Sequence, residues 1–166
     1  MMQLATTPEA RAYLAKYIAD RTGETPEGLT GPYWYAVLGS IQKDRITGAV
    51  MFNLWRGSSV ETHWAGETGW LTREHLGQIF AYPFHVLGVR RVTGIIRRKN
   101  RRARDSAERI GFKLEGVMRH GFENDDACVY GMTRQSCRWI ATRGHDGKEC
   151  TEGAGPHPDR AGAGTV

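Results

Sequence analysis

The sequence predicts a single α/β domain with a mixed β-sheet, and three observations lead to this class. At 166 residues the chain is long enough for one domain, which would bury roughly 70% of its unfolded surface. Its apolar residues alternate at strand spacing in some segments and recur at helical spacing in others. In the middle of the chain a strand, a helix and a strand follow in order, which predicts a parallel strand pair with a helix packed on the sheet.

The first third of the chain predicts a helix followed by strands. Thr7-Pro8-Glu9 combines a capping threonine, a proline at the first helical position and an acid near the positive end of the helix dipole. Gly23 is expected to end this helix, and residues 24–32 are expected to form a loop. Strands are expected at residues 33–38, 46–53 and 60–65, with a turn at 42–45 between the first two.

The third predicted strand has two different faces and leads into a helix. Glu61 and His63 lie on one face. The other face carries Val60, Thr62 and Trp64. A helix is then expected to begin near Thr72 and to end at Gly88, because apolar residues recur there at helical spacing. Pro83 lies inside that pattern and should kink the last turn.

Six positive charges surround one asparagine where a predicted strand at residues 89–96 gives way to a short helix at 101–110. The run is Arg97-Arg98-Lys99-Asn100-Arg101-Arg102-Ala103-Arg104. Asn100 stands at the N-cap position, and Gly111 at the C-terminal stop. Cations at a helix N-terminus oppose the helix dipole, which favours an anionic ligand held there by arginines and free backbone N–H groups. A solvated basic turn is the alternative.

The end of the chain predicts a hairpin and then a tail. Residues 113–122 and 127–137 are expected to form strands joined by a turn at 123–126. Residues 142–166 are rich in glycine and hold almost no large apolar side chain, so burial cannot offset their ordering entropy. We therefore expect a domain at residues 1–141 followed by a flexible tail.

Charge and composition narrow the class of partner. The net charge of +5 favours an acidic partner, either a polyphosphate cofactor or a nucleic acid. Three cysteines without CxxC spacing suggest neither a disulfide framework nor a zinc site. The sequence shows no signal peptide and no run of 18 apolar residues, so we expect a cytoplasmic protein with no membrane partner.

Several motifs in the second half of the chain resemble one known family. Asn100, Ala103, Gly111 and Phe112 stand in the pattern N-x-x-A-x7-G-F. With Leu87-Gly88-Val89-Arg90-Arg91-Val92 before it and Glu115-Gly116 and Arg119 after it, this stretch resembles the GNAT family of N-acetyltransferases. It is most similar to the branch that modifies protein N-termini. A subgroup found in phages and prophages shows motifs similar to Trp70-Leu71-Thr72-Arg73, Tyr82-Pro83-Phe84, Tyr130-Gly131-Met132 and Cys137-Arg138-Trp139.

The resemblance implies a fold and a cofactor. The implied fold is a strongly twisted mixed sheet whose two central strands splay apart to admit acetyl-coenzyme A. The family's pyrophosphate lies on the N-terminus of the helix that begins near Thr72, and its pantetheine pairs with the edge of the strand before it. The residues implied to bind the cofactor are Trp64, Ala65, Leu71, Thr72, Arg73, Asn100, Arg101 and Arg104.

The loop before that helix departs from the family pattern. The usual loop is R/Q-x-x-G-x-G/A, whose glycines let the backbone approach the phosphates. This chain has Glu67-Thr68-Gly69-Trp70-Leu71-Thr72-Arg73-Glu74, with one glycine and a bulky tryptophan. Either Arg73 and the helix end suffice, or cofactor binding is weakened. The next residue along, His75, is expected on the helix surface.

Acetylation of an amine requires a base, because an amine with a pKa of about 10.4 is protonated at neutral pH. Glu61 and His63 share the strand face expected to flank the acetyl group, so either could be that base. The alternative is a surface carboxylate and a structural histidine. For the acid that protonates the leaving sulfur, Ser106 and Tyr130 are the candidates, since Ala107 stands where many family members have tyrosine. Tyr130 is alternatively a packed strand aromatic.

The resemblance implies an N-acetyltransferase that acts on an amine of a protein, peptide or small molecule, as a monomer or homodimer. Two other functions stay open. The first is a phage-encoded binding or virion-associated module that keeps the fold without catalysis. The second is recognition of RNA by the basic face, with RNA binding that depends steeply on salt concentration.

Overall fold

The computed structural model describes residues 1–140, which form a seven-stranded mixed sheet with helices on both faces. The predicted tail at 142–166 lies outside the described residues. The strands are β1 (Met2–Leu4), β2 (Tyr35–Gln42), β3 (Arg45–Asn53), β4 (Ser59–Gly66), β5 (Arg91–Arg97), β6 (Lys113–Phe122) and β7 (Asp125–Thr133). The helices are α1 (Pro8–Thr22), α2 (Pro26–Thr30), α3 (Arg73–Ala81) and α4 (Arg101–Ile110). The strand order is β1-β2-β3-β4-β5-β7-β6, which confirms the predicted α/β class.

Helix ends follow the capping chemistry of the sequence. The Thr7 hydroxyl accepts a first-turn N–H of α1, and Gly23 ends that helix with a left-handed φ of 75°. In α4, the Asn100 side-chain oxygen accepts a first-turn N–H at 3.1 Å, and Gly111 closes the helix with a φ of 119°. Both predicted helices are therefore confirmed to within a residue, because a side-chain acceptor begins each one and a glycine ends it.

Three elements differ from the prediction. The predicted loop at 24–32 contains α2, which the Thr25 hydroxyl caps, and Thr25-Pro26-Glu27 repeats the residue types that begin α1. Strand β1 has three residues, too few to show an alternating pattern. The last strand ends at Thr133 rather than at residue 137. The bounds of the two strands depend on tertiary pairing more than on local pattern, whereas α2 does have a local capping signal.

After α3, the helix departs from regular α-helical geometry at Pro83, where the sequence predicts a kink. Residues Tyr82–Val86 form one π-helical turn, in which the Leu87 N–H donates to the Tyr82 carbonyl at 3.0 Å. Pro83 has no N–H to give, so the regular α-helical ladder cannot continue through it. Among residues 1–140, no helix combines the length and the apolar character that crossing a bilayer would demand.

The sheet separates two hydrophobic cores. Val50 and Phe52 of β3 belong to the larger core, which α3 and the turn after it cover. Met51, between them, faces the smaller core and packs with Leu14 and Ile18 of α1. This alternation follows the period of two along a strand, and it assigns every β4 residue to one face or the other.

The two central strands part after three residue pairs. β4 and β5 run parallel and pair only at Ser59–Arg91, Val60–Val92 and Glu61–Thr93. Beyond Glu61, β4 continues for five residues whose outer edge pairs with no strand of residues 1–140, while β5 stays paired with β7 along its other edge. The sheet is therefore splayed at its centre, as predicted. An open strand edge of this kind presents unpaired backbone N–H and C=O groups.

Candidate active site

The open edge of β4 leads directly to the N-terminus of α3. The Thr72 hydroxyl caps this helix by accepting the His75 N–H at 3.1 Å. The backbone N–H groups of Arg73 and Glu74 have no partner within residues 1–140, since the first turn of a helix lacks carbonyls to bond them. Together with the positive end of the helix dipole, these N–H groups can hold an anion.

The loop between β4 and α3 is anchored to the rest of the protein on both sides. The Glu67 N–H donates to the Thr47 carbonyl at 2.8 Å, and the Glu67 carboxylate accepts from Arg45 at 2.6 Å. Further along, the Thr68 hydroxyl accepts from Arg102 of α4 at 3.2 Å. The start of α4 therefore lies beside the start of α3, and both helix N-termini border the same loop.

The side chain of Trp70 packs into the core and does not cover the loop. Its residue exposure is 9%, and its ring lies 6.4 Å from the ring of Trp64. Ala65, the next residue of β4, is also buried, whereas Leu71 is half-buried and Thr72 and Arg73 are exposed. The bulky side chain that departs from the family's loop pattern therefore leaves the N–H groups at the start of α3 accessible.

The cations of the basic run have separate partners. Arg101 is exposed and Arg102 reaches the loop through Thr68. Arg104, in contrast, donates from Nε to the Tyr130 hydroxyl at 3.2 Å and from its guanidinium to the Arg98 carbonyl at 3.0 Å. Within the described residues, Arg102 and Arg73 border the loop, while Arg104 is held by groups of its own chain.

The first three cations of the run contact the turn between β6 and β7. Arg98 pairs with Asp126 at 3.0 Å. Lys99 donates from its side chain to the Asn124 carbonyl at 3.1 Å. The guanidinium of Arg97 lies 4.2 Å from the centre of the Phe122 ring. Much of the basic run therefore stabilises the fold, which reduces the charge available to an external polyanion.

His63 lies on the face of β4 that packs toward α1 and α2, where a chain of hydrogen bonds fixes its tautomer. The Asn53 side-chain amide donates to the Leu29 carbonyl at 2.8 Å, so its oxygen faces His63 at 3.2 Å. Since that oxygen can only accept, Nε2 of His63 carries the proton and Nδ1 keeps a lone pair. Burial lowers the pKa of His63 to about 4. The imidazole is thus neutral at physiological pH.

Glu61 shares this face and stands at the point where the sheet opens. It pairs across the sheet with Thr93, the last pair before β4 and β5 part. Its side chain is 17% exposed and forms an ion pair with Arg56 at 3.6 Å. The structure therefore brings both candidate bases to the mouth of the gap, on one side of the sheet.

The candidate acids lie on the opposite side of the sheet, with α4. Tyr130 is fully buried, and its hydroxyl donates to Glu108 at 2.9 Å while accepting from Arg104. Burial is the main reason that its pKa is raised above the ordinary value. Ser106 is half-buried on α4 next to the buried Ala107. The candidate bases and the candidate acids therefore lie on opposite faces of the sheet.

Four residues of this region were missed in the sequence or given another role. Thr68 and Arg102 meet across 34 positions, and no local pattern signals such a contact. Asn53 orients His63, but an asparagine at the end of a strand is common and gives no signal of this role in the sequence. His75 was expected on the surface and is 3% exposed. No cluster of three or more histidine, cysteine or acidic residues that could hold a metal occurs in the described part of the chain.

Comparisons with solved structures establish the fold. Spermidine N-acetyltransferase from Vibrio cholerae, solved with CoA and spermine, matches with a TM-score of 0.61 at 16% identity, over 81% of this chain and 96% of that one. A GNAT-family acetyltransferase from Bacillus anthracis matches with a TM-score of 0.59 at 16% identity, over 81% and 95%. A putative acetyltransferase from T. thermophilus matches with a TM-score of 0.61 at 18% identity, over 81% and 87%.

The similarity to these proteins lies in the structure and not in the sequence. The sequence matches no family model, and no curated protein matches it either. At identities below a fifth, the agreement defines the fold alone, and that fold is the one of the GNAT acetyltransferases.

Proposed function

We propose that this protein is a GNAT-family N-acetyltransferase that transfers an acetyl group from acetyl-coenzyme A to an amine. The proposal rests on one observation: the open edge of β4 leads directly to the N-terminus of α3. The unpaired edge of β4 runs from Thr62 to Gly66 and ends at a loop whose far side is the open N-terminus of α3. An extended arm ending in a pyrophosphate fits that combination, with backbone pairing along the edge and an anion site at its end.

The residues around this path match a cofactor of that kind. Arg73 and the neighbouring backbone N–H groups would hold the pyrophosphate, and Arg102 adds a second cation beside Thr68. Asn100 uses its side-chain oxygen as the N-cap of α4, so its amide N–H groups stay available to the pantetheine arm. Arg101 is proposed to meet the outer phosphate, because its side chain is exposed at the start of α4, where it has a contact with Asp105 at 3.9 Å.

Acetyl-coenzyme A would supply the activated acyl group, and the chain's own residues would manage the protons. Nδ1 of His63 has a lone pair available, and the Glu61 carboxylate stands beside the gap. Either group, acting directly or through water, would take a proton from the acceptor amine. Unpaired N–H groups on the β4 edge would stabilise negative charge on the acyl oxygen. Ser106 is the candidate to protonate the departing sulfur, since the Tyr130 hydroxyl already serves Arg104 and Glu108.

The acceptor is proposed as a primary amine on a protein, a peptide or a small molecule. The sequence resemblance to the branch that acetylates protein N-termini, and to its phage-associated subgroup, favours a protein or peptide acceptor. Recognition of RNA receives less support, because Arg97, Arg98, Lys99 and Arg104 contact groups of their own chain.

An acetyl-transfer assay tests the proposal. The protein is incubated with acetyl-coenzyme A and a panel of N-terminal peptides and polyamines, and the released thiol and the acetylated acceptor are both measured. We expect release that requires an acceptor and that Glu61→Gln or His63→Gln reduces by about tenfold or more. Binding of acetyl-coenzyme A without transfer to any amine would favour the non-catalytic binding module instead.

A further inference from the structure

We propose that Trp70 and His75 are positioning residues, which hold the loop between β4 and α3 in the shape that a pyrophosphate requires. The inference rests on the proposed function, because it concerns how that loop binds the cofactor. It assigns a role to the aromatic side chain of the loop, a residue type that is unusual in a loop that must approach phosphates closely.

The indole of Trp70 packs against two glycines of the sheet. Gly48 of β3 and Gly66 of β4 are direct partners across the sheet. A Cβ added to Gly48 would lie 2.1 Å from the Trp70 ring, and one added to Gly66 would lie 2.3 Å from it. Neither glycine has a positive φ. Glycine is therefore required at these positions because the indole leaves no room for a side chain, and not because of the backbone conformation. Paired glycines thus create the flat surface that the indole covers.

The backbone of Trp70 is fixed as well as its side chain. Its carbonyl accepts from Nδ1 of His75 at 2.5 Å and from the Thr72 N–H at 3.2 Å. Since the Trp70 carbonyl can only accept, Nδ1 of His75 carries the proton, and Nε2 lies 3.1 Å from the Met1 nitrogen. His75 is 3% exposed, which shields this hydrogen bond from water.

The packing of the Trp70 side chain and the hydrogen bonds to its carbonyl fix the position of the N–H groups proposed to bind the anion. Gly69 turns the chain with a φ of 83°, Trp70 locks it to the sheet, and Arg73 presents its N–H three residues later. A loop held in this way does not have to be ordered when the ligand binds, so binding avoids that entropic cost. Because the Trp70 side chain packs in the core, the loop backbone stays open to phosphates, which the usual loop achieves with glycines.

Two substitutions test the inference, each with a matched partner. His75→Leu removes the donor to the Trp70 carbonyl, whereas His75→Asn keeps an N–H near the position of Nδ1 and should rescue. Gly48→Ala displaces the indole from β3, away from the β4 edge, whereas Gly116→Ala makes the same change on β6, where an added Cβ meets nothing within 4 Å. Calorimetry gives the affinity for acetyl-coenzyme A, and the transfer assay gives kcat/KM with S-acetylpantetheine, which lacks the phosphates.

We expect His75→Leu and Gly48→Ala to weaken binding of acetyl-coenzyme A by about tenfold or more, while kcat/KM with S-acetylpantetheine changes less than about twofold. His75→Asn and Gly116→Ala should behave like the parent. An equal loss with both thioesters would show a general structural effect and overturn the positioning role, as would unchanged binding. Failure of the parent itself to bind acetyl-coenzyme A would refute the proposed function, and this inference with it.

Discussion

Arg102, in the first turn of α4, donates a hydrogen bond to the Thr68 hydroxyl at 3.2 Å, so the start of one helix holds the loop that leads into another. Arg102 therefore lies beside the start of α3, where the proposed pyrophosphate site would be.

Arg73→Ala and Arg102→Ala should each weaken acetyl-coenzyme A binding by about tenfold to a hundredfold, the cost of a lost charge-assisted hydrogen bond. Melting temperatures should stay level or rise slightly, because each change removes a cation from a helix N-terminus. Arg98→Ala is the control, since Arg98 pairs with Asp126 away from the loop. Equal affinities across the three variants would mean that these cations bind no phosphate.

Asn100→Ala should lower both stability and affinity. The side-chain oxygen caps α4, so its loss should cost about 1 kcal/mol of unfolding free energy. Denaturant unfolding and calorimetry on the same variant separate the two effects, and Asn100→Asp serves as the comparison because aspartate retains the cap. If Asn100→Asp restores affinity along with stability, Asn100 is a cap alone.

Tyr130→Phe should reduce stability more than catalysis. The hydroxyl joins Glu108 to Arg104 inside the protein, so its removal should cost about 0.5–1.5 kcal/mol per hydrogen bond. We expect kcat to stay within a few-fold of the parent, and Ser106→Ala to lower it further. A loss of kcat of about a hundredfold in Tyr130→Phe would instead assign the leaving-group proton to that hydroxyl.

His63 should make stability depend on acid pH. Burial lowers its pKa from 6.5 to about 4, so between these values the unfolded chain binds a proton that the folded protein does not. The free energy of unfolding should therefore fall as the pH drops through this range, by up to about 3 kcal/mol. Urea unfolding at several pH values measures the slope, which His63→Gln should reduce; Glu115 and Asp126, whose pKa values are lowered by Arg91 and by the His120 N–H, still contribute to it. A parent slope equal to that of the variant would contradict the buried neutral imidazole.

Local chemistry accounts for the parts of this fold that the sequence predicts. Thr7 and Asn100 begin helices because their side chains accept N–H groups a few positions away, and Gly111 ends one because it reaches positive φ. The splayed strands followed from the family resemblance, and the pairing at Glu61 and Thr93 confirms them.

The contacts that shape the candidate site depend on distant residues and could not be predicted in this way. His75 is buried because the chain start packs against α3, and β1 is too short to show a pattern. Arg104 turns inward because Tyr130, 26 positions away, offers a hydroxyl. Predicting that a residue lies in a helix does not predict which distant residues its side chain contacts.

The central claim is that acetyl-coenzyme A binds along the open edge of β4 and ends at the start of α3. Amide hydrogen exchange, followed by mass spectrometry with and without acetyl-coenzyme A, tests it most directly. The account predicts added protection in peptides that span residues 62–75, and none in the turn between β6 and β7. Protection confined to other segments, or no change at saturating acetyl-coenzyme A, would contradict the account.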